Sequence, residues 1–243
     1  MKSEPELVAA AHLSYIGSFR KLVEHSPAGA IYVDDRAFTF ATGLMIPTFN
    51  GCIVTLPIAA SELTESLEWL SSRELPYEVS IAEPLAPELA DVVVGSGLSI
   101  NRVPYPGMVL HPVPASPAPP PDVTVVPGLV PGLADYLPAS FAADPDVRVF
   151  NARLDGRPVG ISIAIRTGDV AGVYAVGTRP ESRGRGVGTA ATWAAVDAGS
   201  EWGADTIVLQ ASEMGLSLYQ RMGFRTVVRY VKFSGGPSRA SPA

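Results

Sequence analysis

Three glycines and three arginines fall within eleven residues, Arg179-Pro-Glu-Ser-Arg183-Gly184-Arg185-Gly186-Val187-Gly188-Thr189. An apolar strand over residues 170–176 leads into this stretch. A helix leads out of it, from 187 to about 202, with an apolar stripe at Val187, Ala190, Ala191, Ala194 and Ala198. The glycines let the backbone turn and let a ligand come close to it. The first amides of a helix lack intrahelical partners, and the helix dipole adds partial positive charge there. Arg183 and Arg185 add full charges. The chemistry is that of a phosphate or pyrophosphate site.

Two well-known phosphate loops fit poorly. A Walker loop needs lysine before its Ser/Thr, and Gly188-Thr189 has none. The dinucleotide pattern G-x-G-x-x-A matches Gly186, Gly188 and Ala191. It requires the strand to enter the glycine turn directly and an acidic residue ending the next strand. Here the chain runs on from Val176 to Gly184, and the next strand ends at Gln210.

A third pattern fits better: R/Q-x-x-G-x-G/A, as Arg183-Gly-Arg-Gly186-Val-Gly188, followed by Leu218-Tyr219-Gln-Arg-Met-Gly223-Phe224. In this order, strand, loop, helix, strand and Leu-Tyr segment resemble the GNAT superfamily of N-acetyltransferases over residues from about 120 to 235. The resemblance implies an α+β fold with a mixed sheet, and acetyl-CoA as co-substrate. It implies that Ala175, Val176 and Thr178 contact the pantetheine arm, where the strand splays from its neighbour at 206–210. It places the pyrophosphate on Arg183, Gly184, Arg185, Gly186, Val187, Gly188 and Thr189. Ser212 stands where an asparagine often contacts CoA, and Tyr219 matches the general acid.

The residues agree with that role for Tyr219. Ser212 is an N-cap candidate for a helix over 213–222, closed by Gly223. Tyr219 lies two turns beyond Ser212 on the same face, with Gly215 one turn below it, leaving room for a thioester. A phenol of ordinary pKa, about 10, keeps its proton at neutral pH and can give it to a departing thiolate. No residue is singled out as general base: Asp169, Tyr174 and Glu181 have no distinguishing spacing. The implied reaction is direct attack of a primary amine, on a small molecule or a protein, in a ternary complex. No Cys-His or Ser-His pair near the site suggests a covalent intermediate. A non-catalytic acyl-CoA-binding or sensing module is the alternative.

The elements that position these residues read as follows. Residues 122–126 form an opening strand, and 129–142 an irregular helical region broken by Pro131 and Pro138. Tyr136 and Phe141 there serve equally as substrate contacts and as core aromatics. Strands over 147–154 and 159–166 meet at the turn Asp155-Gly156, and a further turn at 167–169 makes an antiparallel meander with 170–176.

The first part of the chain repeats nearly the same order. A helix over 6–24 precedes strands 30–33, 37–42 and 51–56, with the first two turning at Asp34-Asp35. A helix from Ser61 to about Ser72, a strand over 77–82, a helix over 87–94 and a broken strand over 98–110 follow. The expectation is a tandem GNAT-like fold with a degenerate first copy. Its second helix opens with Glu62 and Glu65 and has no glycine or arginine, so its positive end is already occupied. The domains expected are residues 1–111, a proline-rich extended linker over 112–121, the catalytic domain over 122–235 and a flexible tail over 236–243.

Composition excludes several classes. Net charge is −6 with no basic run, against a nucleic-acid footprint. No apolar run approaches a membrane span. Cys52 is the only cysteine, which allows a reducing compartment and a cytoplasmic location. His12, His25 and His111 lack metal-ligand spacing, so no metal is expected. A monomer or a homodimer fits equally.

Overall fold

The computed structural model describes residues 2–33, 35–101 and 105–235. The tail expected over 236–243 lies outside them, as do Asp34 of the first hairpin turn and residues 102–104 of the broken strand. In chain order the elements are α1 (Glu4–His25), β1 (Ala30–Val33), β2 (Ala37–Ala41), β3 (Asn50–Val54), α2 (Ala60–Ser71), β4 (Tyr77–Ala82), α3 (Ala86–Gly95), β5 (Ser99–Ile100) and β6 (Tyr105–Leu110). Then come β7 (Val123–Pro127), α4 (Ala139–Ala142), β8 (Val147–Leu154), β9 (Arg157–Thr167), β10 (Val170–Thr178), α5 (Val187–Glu201), β11 (Ile207–Gln210), α6 (Glu213–Arg221) and β12 (Arg225–Gly235).

The chain was expected to divide at 112–121 into consecutive domains. Its compact units instead interleave: among the described residues, 2–18 join 107–227, and those of 19–106 join 228–235. The reason lies in sheet pairing. In the larger unit the edge of β11 is completed by β6, antiparallel, with Gln210 opposite Gly107 and Ile207 opposite Leu110. In the smaller unit β12 lies antiparallel to β4, from Tyr230 opposite Ala82 to Gly235 opposite Tyr77. The strand order of each unit is thus completed by the strand that follows the other unit's last helix.

The larger unit orders its strands β6-β11-β10-β9-β8-β7. Strands β8 to β10 form the expected antiparallel meander, and β7 pairs antiparallel with β8. Asp155 and Gly156 both take positive φ, 50° and 78°, as a two-residue hairpin turn requires. Helix α5 then crosses over to β11, which runs parallel to β10. Burial of α5 goes beyond one stripe: Trp193, Ala195 and Val196 are buried together with Val187, Ala190, Ala191 and Ala198. Only Ala194 of the expected set is partly exposed. A second side is covered because Trp193, Ala195 and Val196 join a core cluster with Leu209 of β11 and Tyr219 of α6, and the proline-rich segment adds to it. Val113 packs against that core cluster, and Ser116 Oγ donates to Asp197 Oδ1 at 2.5 Å. Residues 129–138 form turns, and only Ala139–Ala142 is helical, as the two prolines dictate.

The N-terminal part of α1 belongs to this unit. Leu7, Ala10, Ala11 and Tyr15 are buried as its amphipathic pattern foretold. His12 is also largely enclosed, and burial pulls its imidazole down to about 4. An unfolded chain binds that proton near 6.5. Between these values the unfolded state holds more protons, so stability falls as pH drops through this window. The full loss is on the order of 3 kcal/mol. Urea midpoints taken at about pH 7 and about pH 5 should drop less in His12→Gln than in the wild type.

The smaller unit orders its strands β1-β2-β3-β4-β12. Strands β1, β2 and β3 are antiparallel, and α2 crosses over to β4, parallel to β3. Leu63, Leu67 and Leu70 of α2 bury against Val79 and Ile81 of β4 and Phe233 of β12. Helix α2 begins one residue before the expected Ser61 cap. Its N-cap is Ala59, whose N–H donates to Glu62 Oε2 at 2.7 Å. No side chain accepts from the first amides of the helix as a serine cap would; instead the Glu62 carboxylate reaches back to the N–H of the N-cap residue.

Candidate active site

The site of the larger unit begins where β10 and β11 part. They pair only at Ala171 with Ile207 and Gly172 with Val208, although β10 continues to Thr178. Beyond Gly172 the β10 edge that faces β11 is open, as the splayed arrangement required. Ala175 has φ +51°, and the register with β9 shifts between Tyr174 and Gly177. This is a bulge with a non-glycine residue in the left-handed region. It re-aims the strand so that Val176, Gly177 and Thr178 turn into a cleft of about 490 Å³.

The glycine loop forms the cleft's next wall. A short 3₁₀ turn at Pro180–Ser182 delivers Arg183 and Gly184 to it, and Gly186 caps α5 in the left-handed conformation, φ +79°. The first intrahelical bond is from Ala190 N–H to Gly186 O, at 2.9 Å. The amides of Val187, Gly188 and Thr189 are thus the ones that an anion could accept from. The Val187 side chain is 1% exposed and packs in the core, so its offering is backbone. A Cβ on Gly188 would approach Thr178 Oγ1 to 3.4 Å and Leu218 to 3.6 Å, narrowing the cleft at the helix end.

The third wall is α6. Ser212 is its N-cap, accepting from Gly215 N–H at 3.3 Å, and it lines the cleft with Met214, Leu218 and Tyr219. Tyr219 is 8% exposed, and its ring meets Phe224 edge-on at 5.9 Å. Gly215 lines the cleft beside Tyr219, and its missing side chain has a second use. A Cβ there would fall 2.8 Å from Tyr219 Cε2, so the missing side chain admits the tyrosine's own ring. Gly215→Ala should displace that ring and reduce turnover by about tenfold or more, with acetyl-CoA affinity changed far less. Paired calorimetry and steady-state kinetics would check both halves of that statement.

Of the residues expected to hold the co-substrate, Val176, Thr178, Arg183, Gly184, Gly186, Val187, Gly188, Thr189 and Ser212 line the cleft, together with Tyr219. Ala175 and Arg185 do not. Ala175 is consumed by the bulge. Arg185 Nη2 lies 2.5 Å from Asp122 Oδ2 and 3.7 Å from Asp155 Oδ2, which hold the guanidinium outside the cleft. Arg183 contacts only a carbonyl, Nε to Thr178 O at 3.3 Å, and among the described residues no carboxylate pairs with it. Ser182, Ser217 and Arg221 also line the cleft and were missed. The signal existed, since Met214, Ser217, Leu218 and Arg221 share one helix face by their spacing.

The other candidates resolve as follows. Phe141 is a core residue, 2% exposed. Tyr136 is half-buried, with its phenol raised by burial, and it does not line the cleft. Tyr174 is not placed to be a base. Its hydroxyl lies 2.7 Å from both Ser14 Oγ and Ser14 O, tying β10 to α1. Asp169 sits 3.9 Å from Lys2 Nζ. Among the described residues no group of three His, Cys, Asp or Glu could hold a metal, and no helix is long and apolar enough to cross a membrane.

In the smaller unit the corresponding parallel pair differs. β3 and β4 stay in register from Gly51 with Glu78 to Val54 with Ile81, nearly the whole of β3. A Cβ on Gly51 would sit 2.1 Å from Glu78 O. There is no splay for an arm to enter, and Glu62 occupies the helix end.

Residues 121–224 match the family model described as the Acetyltransferase (GNAT) family, and this stretch is a GNAT acetyltransferase domain. Solved structures extend the likeness across the chain. A GCN5-related N-acetyltransferase from Kribbella flavida is similar with TM-score 0.67 and 20% identity, over 94% of this chain and 96% of that one. A tandem GNAT protein from the clavulanic acid biosynthesis pathway gives 0.58 and 14%, over 98% and 96%. A GCN5-related N-acetyltransferase from Sphaerobacter thermophilus gives 0.55 and 17%, over 97% and 94%. At these identities the likeness is one of fold: a GNAT-like mixed sheet. No curated protein sequence matches the chain.

Proposed function

We propose that this chain is an acetyl-CoA-dependent N-acetyltransferase whose donor site is the cleft of the larger unit, with the first part of the chain a degenerate copy. One observation carries the reading: the open edge of β10, the unpaired amides of the glycine loop and the Tyr219 hydroxyl-bearing helix converge on a single cleft. Val187, Gly188 and Thr189 amides with Arg183 hold the pyrophosphate. The bulged edge at Val176 to Thr178 takes the pantetheine arm. A primary amine then attacks the thioester carbonyl carbon. The new C–N bond forms, the C–S bond breaks, Tyr219 gives its proton to the sulfur, and the ammonium proton passes through solvent to restore the phenol. The acceptor is a small-molecule or protein amine.

A second reading, an acyl-CoA-binding module without turnover, draws on one observation. Among the residues that line the cleft none is Asp, Glu or His, the side chains that most often take a proton from an amine. Titrating acetyl-CoA into the protein by calorimetry tests the donor site. Release of free CoA thiol in the presence of an amine panel separates the two readings. Binding with amine-dependent thiol release supports the transferase, and binding without it supports the module. No binding would sink both.

A further inference from the structure

Among the described residues, Gln210 Nε2 is the one buried side-chain nitrogen or oxygen that has no hydrogen-bond partner. A buried amide donor left unpaired costs stability, so its persistence asks for an explanation. Its position supplies one. Gln210 ends β11, two residues beyond Val208, the last to pair with β10. Side chains alternate along a strand, so Gln210 lies on the face of Val208 and, across the parallel pair, of Gly172 and Tyr174. That is the α1 face: a Cβ on Gly172 would meet Ser14 Oγ at 2.5 Å, and Tyr174 bonds to Ser14. Ile207 and Leu209 point the other way, into the core with Trp193 of α5 and Tyr219 of α6.

Both strand neighbours leave the amide unserved. Gly107 opposite it on β6 has no side chain, and Tyr174 across the gap has its hydroxyl on Ser14. The donor cleft opens on the α5 and α6 side of the sheet. A second reactant entering from the α1 side would meet the thioester through the gap between β10 and β11, which stop pairing after Gly172 and Val208, and Gln210 stands at that gap's edge.

We infer that Gln210 binds the acceptor, its Nε2–H donating to a carbonyl or carboxylate oxygen near the attacking amine. The acceptor class is thus an amine bearing such an oxygen close by, rather than a plain alkylamine. This inference rests on the acyltransfer reading above. An amide site that pairs with a substrate oxygen discriminates against analogues lacking it.

The test uses the full chain, with Gln210→Leu and Gln210→Met, and glycinamide and n-butylamine as probes. Calorimetry with acetyl-CoA comes first, and equal affinity in wild type and variants is expected. Failure of the wild type to bind acetyl-CoA would sink the acyltransfer reading itself. The wild type should then favour glycinamide over butylamine in kcat/KM, and the variants should lose roughly tenfold of that preference, chiefly through KM. Without acceptor, Gln210→Met should melt at the wild-type temperature or a few degrees above it, since it removes an unpaired donor. A drop of several degrees would show the amide to be a structural partner and would overturn the inference. So would a wild type without preference for glycinamide, absence of turnover with both probes included.

Discussion

Tyr219→Phe is expected to slow amine-dependent release of CoA by about 10²- to 10⁴-fold, the usual worth of a positioned general acid. Acetyl-CoA affinity should stay within about twofold, because the hydroxyl acts on charge that develops only as the C–S bond breaks. The structure makes the comparison clean. The ring is enclosed, packed edge-on against Phe224 at 5.9 Å and seated over Gly215, and phenylalanine keeps each of those contacts. The departing sulfur would then have to take its proton from water or leave as the anion. Thiol leaving groups of lower pKa would be slowed less by the substitution, a trend readable from donor analogues. Equal turnover in wild type and variant would remove Tyr219 from the mechanism.

What the sequence revealed and what it hid follow from the range of the interactions. Local signals were legible. The glycine loop and its helix, the Asp155-Gly156 turn and the Ser212 cap depend on residues a few positions apart, and each stands where it was expected. The exchange of β6 and β12 was invisible, because pairing Gln210 with Gly107 depends on edges more than a hundred residues apart. The same limit hid the difference between Arg183 and Arg185. They occupy one motif, but Asp122 and Asp155 reach only the second. Gly215 is legible as space beside the cleft; that the same space also admits the Tyr219 ring is not, since the direction of a tyrosine ring is a matter of side-chain packing. The face of Tyr174 is fixed by its bond to Ser14 on the first helix, 160 residues away in the sequence.

That difference between the arginines makes the second large effect specific. Arg183→Glu should weaken acetyl-CoA binding by ~30- to ~1,000-fold, the loss of a charge-assisted contact plus repulsion from a new carboxylate. The new side chain would also accept from the amides at the start of α5, competing with the pyrophosphate for the same donors. Arg183→Gln, which removes the charge and adds none, should fall between. Arg185→Gln should cost much less, because Arg185 already spends its charge on two carboxylates outside the cleft. The deficit in Arg183→Glu should shrink as salt rises, since Arg183 is exposed and its field is screened. Calorimetric titrations of the four proteins at low and high ionic strength would decide it. Equal losses at 183 and 185 would mean that the loop binds phosphate through its backbone and net charge alone, with no role for the position of either guanidinium.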